Sequence, residues 1–341
     1  MIKCTRFFVI LRLEMPMNTP LLTIRRPIEP ELSRYSALFD AVLTHDERFM
    51  DRVLEHVRSR KGKMMRPILV LLMAKECGAV DEKALRCAVT LELLHTASLV
   101  HDDVVDESPE RRGQASLRAV FDNKVAVLLG DYMLARSLHQ AALTGKVEIV
   151  EQVAALGATL SEGEIFQLAN VESATLSEEA YFRIIRNKTS ALFATCGLLG
   201  ALAQDADGEF CQTARRFGEI VGLCFQIRDD IFDYFDDAAI GKPRGNDMAE
   251  GKLTLPAIYA VNHTGDARAA ELARRVKALK ATREEMAELI AFAKANGGIE
   301  YAREAMEKLR SEAELLLGHF RNEAVRESLK AYIDVVIGRD Y

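Results

Sequence analysis

Nearly the whole chain after Pro27 carries apolar residues at intervals of three and four, the spacing that places them on one face of an α-helix. Two runs with this spacing are Val125, Leu128, Leu129, Met133 and Leu134, and Leu192, Cys196, Leu199 and Ala203. No segment alternates apolar and polar residues clearly enough to predict a β-strand. The sequence therefore predicts an all-α fold of roughly ten to thirteen helices. We expect one large helical domain over residues 18–341, preceded by a disordered extension over residues 1–17.

Polar residues predict where several helices begin. Thr282 with Glu285, and Thr44 with Glu47, have the spacing of a capping box. Some of the predicted helices are apolar on more than one face, and these span residues 84–105, 124–143, 146–171, 177–203 and 208–237. Such helices are expected to be covered on several sides, either by other helices or by a second subunit.

The composition excludes several classes of protein. Glycine (20 residues), proline (8) and aromatic residues (7%) are too scarce for an all-β sandwich or barrel. The formal net charge of −6 argues against nucleic acid or an anionic membrane as the main partner. No apolar run reaches the ~20 residues of a membrane span, so no stable membrane insertion is expected. The six cysteines lack a paired spacing, which indicates a reducing, cytoplasmic location.

Two acidic clusters share the spacing D-D-x-x-D. The first consists of Asp102, Asp103 and Asp106, and the second of Asp229, Asp230 and Asp233. Each follows an apolar segment, so each is predicted to lie at the C-terminal end of a buried helix. There the first and third aspartates share one face, ~6 Å apart along the axis. A charged helix end facing water explains one such cluster. It explains two poorly, because carboxylates oppose the helix dipole and repel each other.

A cation is expected to offset this repulsion. Oxygen ligands without sulfur or imidazole suit Mg²⁺, which usually completes its coordination shell with phosphate oxygens. Several basic residues are suited to bind a diphosphate in the same site. They are Lys63, Arg66, Arg111, Arg112, Lys188, Lys242 and Lys252. The sequence therefore predicts a site that binds Mg²⁺ and diphosphate together.

In their order along the chain, these motifs resemble those of the trans-isoprenyl diphosphate synthases, and within them the medium- and long-chain polyprenyl group. The motifs are Gly62-Lys63-x-x-Arg66-Pro67, His95-Thr96, the first aspartate cluster, Arg111-Arg112-Gly113, Lys188-Thr189, Phe225-Gln226 with the second cluster, and Gly245-Asn246-Asp247. The resemblance extends from about Pro27 to the C-terminus.

This resemblance implies a helical bundle of the isoprenoid synthase type, usually a homodimer, with a central active-site cavity. It also implies condensation of isopentenyl diphosphate with an allylic diphosphate, head to tail, into a medium or long all-trans polyprenyl diphosphate. Several Mg²⁺ ions are expected, ligated by Asp102, Asp106 and Asp229, with Asp103, Asp230 and Asp233 in supporting catalytic roles. The remaining implied roles are allylic diphosphate binding by Arg111, Lys188, Lys242 and Lys252, isopentenyl diphosphate binding by Lys63, Arg66, His95 and Arg112, and stabilisation of the allylic cation by Thr189 and Gln226.

Three positions depart from the family pattern. Met64 stands where arginine is often found and Lys61 where glycine is often found. Lys63 and Arg66 keep two cationic contacts, so activity is expected, and the affinity for isopentenyl diphosphate is the property that these departures are expected to change most. Arg228 lies beside Asp229, where an apolar residue is common, and is expected to point off the acidic face and make a structural salt bridge.

Product length is predicted from the helix before the first aspartate cluster. Ser98 and Ala97 lie four and five residues before Asp102, about one turn deeper in the predicted cavity. Both are small, whereas a bulky aromatic residue there resembles a floor that stops chain growth early in this family. A medium to long product is therefore expected, with octaprenyl diphosphate favoured.

Other functions remain open at this point. A shorter-chain farnesyl or geranylgeranyl diphosphate synthase carries the same motifs. The non-catalytic subunit of a two-component synthase commonly lacks one acidic cluster, and this chain has both. A metal-dependent phosphohydrolase using His101 and Asp102 needs further histidine ligands, for which only His95 and His139 lie nearby in the sequence. A terpene cyclase does not need the site formed by Lys63, Arg66 and His95.

Overall fold

The computed structural model describes residues 19–59, 62–111, 113–172, 176–235 and 245–338. Within these residues it contains seventeen α-helices, which confirms the all-α prediction. The first nine are α1 (Thr19–Arg25), α2 (Glu29–Val42), α3 (Arg48–Arg58), α4 (Met65–Cys77), α5 (Glu82–Val105), α6 (Leu117–Phe121), α7 (Asn123–Ala142), α8 (Val147–Glu172) and α9 (Glu178–Ile185). The other eight are α10 (Ala191–Ala203), α11 (Gly208–Phe232), α12 (Asn246–Ala249), α13 (Leu255–Thr264), α14 (Ala267–Lys277), α15 (Arg283–Ala295), α16 (Gly298–Leu316) and α17 (Glu323–Ile337).

A few short segments interrupt the helices. Two 3₁₀ turns span Arg26–Ile28 and Leu317–His319, and a π-helical segment spans Arg186–Ser190 between α9 and α10. An antiparallel hairpin pairs β1 (Glu110–Arg111) with β2 (Gln114–Ala115). This hairpin follows α5 and places Arg111 beside the first acidic cluster.

The helices α4, α5, α10 and α11 form the centre of the bundle. Helix α10 is buried on nearly all sides, because its sequence ALFATCGLLGALA contains no charged residue to direct one face to water. Helices α7 and α8 pack against α5 and α10 on one side, and α13 and α16 pack near α11 on the other. Both acidic clusters lie at the C-terminal ends of central helices, so the core of the bundle positions them.

The structure confirms some predicted helix boundaries and corrects others. The Thr282–Glu285 capping box is present at the start of α15. The Thr44 box is wrong: α3 begins after Glu47, whose side chain accepts hydrogen bonds from the backbone N–H groups of Phe49 and Met50. Residues 177–203, predicted as one helix, form α9, the π segment and α10. The predicted count of helices was too low, because one-turn helices such as α12 are too short to show a period.

Helices α7 and α8 keep several large apolar side chains exposed. The side chains of Leu128, Ile165, Leu168 and Val147 are between 60% and 77% exposed. Other helices of this chain therefore cover α5, α10 and α11 but leave one face of α7 and α8 open. No helix in the described part of the chain combines the length and apolar character that crossing a membrane requires.

Candidate active site

The three aspartates of the first cluster have different surroundings at the end of α5. Asp102 is partly buried and lies within electrostatic reach of Glu164 and Lys188. Asp103 is only 3% exposed and accepts a 2.7 Å hydrogen bond from Nε of Arg111. Asp106 is the exposed C-cap residue of α5. Asp102 and Asp106 are thus placed to contact a bound ion, while Asp103 holds the hairpin that carries Arg111.

The second cluster shows a similar division at the end of α11. Asp229 is exposed and lines a large cavity. Asp230 is buried, and its carboxylate accepts hydrogen bonds from Tyr181 Oη at 2.6 Å and Gln226 Nε2 at 2.8 Å. The carboxylate of Asp233 accepts backbone N–H hydrogen bonds from Asn246 and Asp247. Asp230 and Asp233 therefore organise the neighbouring segments, and Asp229 is left facing the cavity.

A chain of hydrogen bonds connects the π segment to α11. The hydroxyl of Thr189 donates to Oε1 of Gln226 at 2.7 Å, and the amide of Gln226 donates in turn to Asp230. Each polar group in this chain has its orientation set by the next one. The carbonyl of Gln226 and the hydroxyl of Thr189 are therefore held as fixed dipoles beside the aspartates.

Close backbone contacts hold the π segment in place. A Cβ atom at Gly222 of α11 would lie 2.5 Å from Cα of Ser190, and one at Gly163 of α8 would lie 3.1 Å from the backbone N of Lys188. A side chain at Gly222 would force one backbone to move, and one at Gly163 would crowd the π segment. π-helical turns often occur at functional sites because they re-aim side chains out of the regular helical period. Here the turn directs Lys188 and Thr189 together into the site.

The site carries more negative charge than its surroundings readily accommodate. Burial, together with the nearby Glu164 carboxylate, raises the pKa of Asp102 to about 6. Burial and the Asp233 carboxylate raise the pKa of Asp247 to about 7. Burial also raises the pKa of Asp230 well above its usual value, and Asp247 adds to that effect. Additional positive charge would stabilise all three ionised carboxylates.

Two cavities adjoin the aspartates. The larger one, about 620 Å³, is lined among others by Lys63, Arg66, His95, Arg111 and Asp229. The smaller one, about 210 Å³, is lined among others by Lys188, Thr189, Gln226, Asp230, Asp247 and Lys252. The structure thus brings most of the predicted residues into two adjacent groups. Arg111, grouped with Lys188 by sequence, lines the larger cavity.

Residues at the start of α4 form one wall of the larger cavity. Met64 has a left-handed backbone (φ 57°) and precedes the helix, so the chain turns sharply there. The guanidinium of Arg66 lies 4.7 Å from the ring centroid of Phe193, over its face. Tyr332 of α17 donates a 2.8 Å hydrogen bond to the carbonyl of Met65. Helix α17 therefore supports the turn from which Lys63 and Arg66 extend.

Arg228 has a structural role, as expected, but its main partners are backbone carbonyls and not a carboxylate. Its side chain is buried, and Nη1 donates hydrogen bonds to the carbonyls of Val335 and Val336 at 3.1 and 2.5 Å. These carbonyls belong to the last turn of α17, which has no further helical N–H groups to bind them. The ion pair with Asp229 is longer, at 3.4 Å. Arg228 is thus chiefly a C-terminal cap for α17.

Some predicted residues are not brought to either cavity. Ala97 is fully buried in α5, and Ser98 is partly exposed with its hydroxyl donating to the carbonyl of His95 at 2.8 Å. Neither residue lines the two cavities. Arg112, Lys242, Lys61 and residues 1–17 lie outside the described residues.

Sequence reasoning assigned no role to three residues of the site: Glu164, Tyr181 and Asp247. Asp247 belongs to the Gly245-Asn246-Asp247 motif, which marked it as part of the site without assigning it a role. Glu164 and Tyr181 lie in helices whose apolar periodicity indicates which face is buried. That periodicity does not identify the residues that a side chain contacts. Their contacts with Lys188 and Asp230 join segments 24 and 49 residues apart.

The donor set fits Mg²⁺ provided that a ligand supplies further oxygens. Asp102, Asp106 and Asp229 offer only carboxylate oxygens, the preferred ligands of this ion. Across the described residues, no three acidic, histidine or cysteine side chains converge closely enough to hold a metal alone. A bound ion would therefore draw part of its coordination shell from a diphosphate held by the neighbouring lysines.

Comparisons with known proteins agree with this arrangement. The sequence profile named Polyprenyl synthetase matches residues 47–293. Octaprenyl diphosphate synthase from Haemophilus influenzae is 34% identical over 292 residues, which cover 85% of this chain and 88% of that protein. The all-trans-nonaprenyl-diphosphate synthase (geranyl-diphosphate specific) from Rhodobacter capsulatus is 36% identical over 281 residues, covering 82% and 85%.

A solved structure gives the same result for the fold. Geranylgeranyl pyrophosphate synthase from Bacteroides thetaiotaomicron is 49% identical, with a TM-score of 0.83, over 94% of this chain and 99% of that one. The profile match includes both aspartate clusters and the π segment between them. The order of motifs along the sequence predicted this relationship, and the chain belongs to the polyprenyl synthetase family.

Proposed function

We propose that this trans-prenyltransferase condenses isopentenyl diphosphate with an allylic diphosphate in a Mg²⁺-dependent reaction. The observation that carries the proposal is the cavity that Asp230 of the second cluster lines together with Lys188, Thr189, Gln226 and Lys252. Asp102 of the first cluster lies within electrostatic reach of Lys188. A second, larger cavity with basic residues adjoins them. Two neighbouring basic cavities are what a reaction between two diphosphates requires.

The smaller cavity suits the allylic diphosphate. Lys188 and Lys252 line it and supply positive charge. Arg111, which lines the larger cavity, and Lys242 are assigned to the same substrate. Asp102, Asp106 and Asp229 would hold Mg²⁺, which when bound neutralises the diphosphate as it leaves. Heterolysis of the allylic C–O bond leaves an electron pair on the diphosphate and a cation on the substrate. Thr189 and Gln226 present oxygen dipoles that stabilise this cation.

The larger cavity suits isopentenyl diphosphate. Lys63, Arg66 and His95 line it, and Arg112 is assigned to the same group. The double bond of isopentenyl diphosphate attacks the allylic cation, forms the new C–C bond, and the product then loses a proton. We assign no side chain as the base, since the released diphosphate is the proton acceptor proposed for this family.

The exposed apolar surface of helices α7 and α8 supports the proposal that the protein forms a homodimer. Their exposed apolar side chains form a surface that single soluble chains rarely leave uncovered. A second copy of the same chain is the occupant that the family resemblance implies.

We also propose that the helical domain extends over residues 18–341 and acts in the cytoplasm.

The product is proposed to be octaprenyl diphosphate. The small residues Ala97 and Ser98 precede the first aspartate cluster, and a curated relative is named for an octaprenyl product. A shorter product is the alternative that a specific observation favours, because the structure sharing 49% identity is named a geranylgeranyl pyrophosphate synthase.

Product analysis tests these proposals together. The purified protein is incubated with Mg²⁺, labelled isopentenyl diphosphate and farnesyl diphosphate, and the dephosphorylated products are separated by chromatography. A ladder ending at the C40 alcohol is expected, and termination at C20 would establish the shorter-chain alternative. No elongation with intact diphosphates would indicate a non-catalytic subunit. Hydrolysis without elongation would indicate the phosphohydrolase instead.

A further inference from the structure

Lys188 lines the smaller cavity, and one of its side-chain contacts is left unexplained by the reaction. Nζ of Lys188 lies 2.6 Å from Oε1 of Glu164, and both side chains are about one-third exposed. Lys188 is a residue that the proposed function assigns to diphosphate binding. In this structure its ammonium is therefore already occupied by a carboxylate of the same chain.

The backbone makes this pairing specific. Gly163, immediately before Glu164, lies so close to the π segment that an added Cβ would be 3.0 Å from Cβ of Asn187. The helix that carries the acid and the segment that carries the lysine are thus in direct contact. Two flexible side chains on separate surface elements would form a weaker and more variable pair. Here their separation is set by packed backbone.

Several acidic side chains surround Lys188. Asp102 and Asp247 both interact with it electrostatically, but the short contact is with Glu164. Asp102 belongs to a motif assigned to metal binding, and Asp247 is held near Asp233 and Lys252. Glu164 belongs to none of the assigned motifs. It is the carboxylate with which a diphosphate oxygen would compete for the Lys188 ammonium.

We propose that Glu164 is a positioning residue that holds Lys188 in the empty site and competes with diphosphate for it. The inference rests on the proposed function, because it takes Lys188 as a ligand of diphosphate. An anion that displaces Glu164 must break the ion pair between Glu164 and Lys188, and the cost of doing so weakens its binding. The same competition favours release of the diphosphate formed in each condensation.

The test measures binding of inorganic diphosphate by calorimetry at saturating Mg²⁺. The variant Glu164→Gln keeps the size of the side chain and removes its charge. We expect its dissociation constant for diphosphate to fall about twofold to fivefold, the upper part of the range for a partly exposed ion pair. Product inhibition by diphosphate should strengthen by a similar factor, and the KM for the allylic substrate should fall together with kcat.

Two further variants separate this role from a general charge effect. Glu162→Gln makes the same charge change two residues earlier, at an exposed position of α8, and should leave diphosphate binding unchanged. In a Lys188→Met background, Glu164→Gln should have no effect, because the competition needs both partners. An equal gain from Glu162→Gln, or a gain that persists without Lys188, would overturn the proposal.

The remaining outcomes also discriminate. If Glu164→Gln weakens binding of both diphosphate and Mg²⁺, Glu164 contributes to the metal site and the competition model is wrong. If Glu164→Gln leaves binding unchanged while Lys188→Met weakens it, only the role of Glu164 fails. If Lys188→Met leaves diphosphate binding intact, the assignment of Lys188 in the proposed function fails as well.

Discussion

The hydroxyl of Tyr181 donates a 2.6 Å hydrogen bond to Oδ2 of Asp230, the second aspartate of the second cluster. Both residues are buried, and Gln226 donates a second hydrogen bond to the same carboxylate, at 2.8 Å. A buried carboxylate depends on such donors, since few other groups near it replace water. Tyr181 therefore sets the position of Asp230 and, through it, of Gln226.

Replacement of Tyr181 by phenylalanine removes one donor from this carboxylate. We expect Tyr181→Phe to lower the free energy of unfolding by about 1–3 kcal/mol, the cost of an unsatisfied buried polar group. The turnover rate should also fall, because the Gln226 dipole loses its fixed orientation. Chemical denaturation and steady-state kinetics measure the two effects.

Tyr301→Phe is the matched control for that variant. The Tyr301 hydroxyl also donates to a carboxylate, Glu178, at 2.8 Å, but this pair is only partly buried and contacts neither cavity. Its loss should leave turnover unchanged. Equal effects of the two substitutions on turnover would contradict a role for Tyr181 in the site.

Replacement of Gly222 by alanine should displace the π segment. The added Cβ would lie 2.5 Å from Cα of Ser190, so one of the two backbones must move. We expect a loss of about 1–3 kcal/mol in unfolding free energy and a higher KM for the allylic diphosphate, since Lys188 and Thr189 move with the segment. Gly208→Ala, at the open start of the same helix, has no atom within 4 Å of its new Cβ and should be neutral. A normal KM in Gly222→Ala would show that the segment tolerates the shift.

The raised pKa of Asp102 predicts how stability depends on pH. Its pKa of about 6 in the fold lies above the ordinary value of 3.8. The native chain therefore binds this proton more tightly than the unfolded chain. The resulting stabilisation is complete below about pH 4 and is lost as the pH rises through 6. Asp247, with a pKa of about 7, extends the same trend to higher pH.

Denaturation of the protein in EDTA between pH 5 and 8 tests this dependence. Asp102→Asn should remove part of the decline in unfolding free energy, on the order of 1–2 kcal/mol after allowance for solvent screening. The exposed Asp46→Asn variant serves as a control. Parallel curves for the wild type and Asp102→Asn would contradict the raised pKa.

Substitutions before the first cluster test the control of product length. Ser98 is partly exposed, so Ser98→Tyr adds a ring without filling a packed site, and we expect the product ladder to end at a shorter alcohol. Ala97→Tyr should also shorten the product, but Ala97 is fully buried and the added ring should cost about 1–3 kcal/mol of stability. An unchanged ladder in both variants would place the growing chain elsewhere.

Removal of the Arg228 side chain should loosen the end of α17. In Arg228→Met the carbonyls of Val335 and Val336 lose their donor, and amide exchange in the last turn of the helix should accelerate. Arg326→Met, at a more exposed position of the same helix, is the control. Equal exchange rates in the two variants would show that Arg228 does not stabilise this helix end.

Local patterns predicted much of this protein. The three- and four-residue period indicated an all-α bundle, because helix formation depends on which face of a short segment is apolar. The spacing of Asp102 with Asp106 is likewise a local property of one helix. Family motifs then assigned Lys63, Arg66 and His95 to one group, and the structure places all three around the larger cavity. Of the second group, Lys188 and Lys252 line the smaller cavity, whereas Arg111 lines the larger one.

Tertiary structure alone decided which aspartates form hydrogen bonds with other side chains of the protein and which face solvent. Asp103 and Asp106, three residues apart in one motif, differ because Arg111 covers the first and solvent the second. The Tyr181 hydroxyl that donates to Asp230 comes from a segment 49 residues away along the chain, and the carbonyls capped by Arg228 lie 107 and 108 residues away. Helical periodicity carries no information about such distant partners. The sequence by itself therefore determined the all-α class and the residue types of the candidate site, and the packing of the helices decided the environment of each charged group.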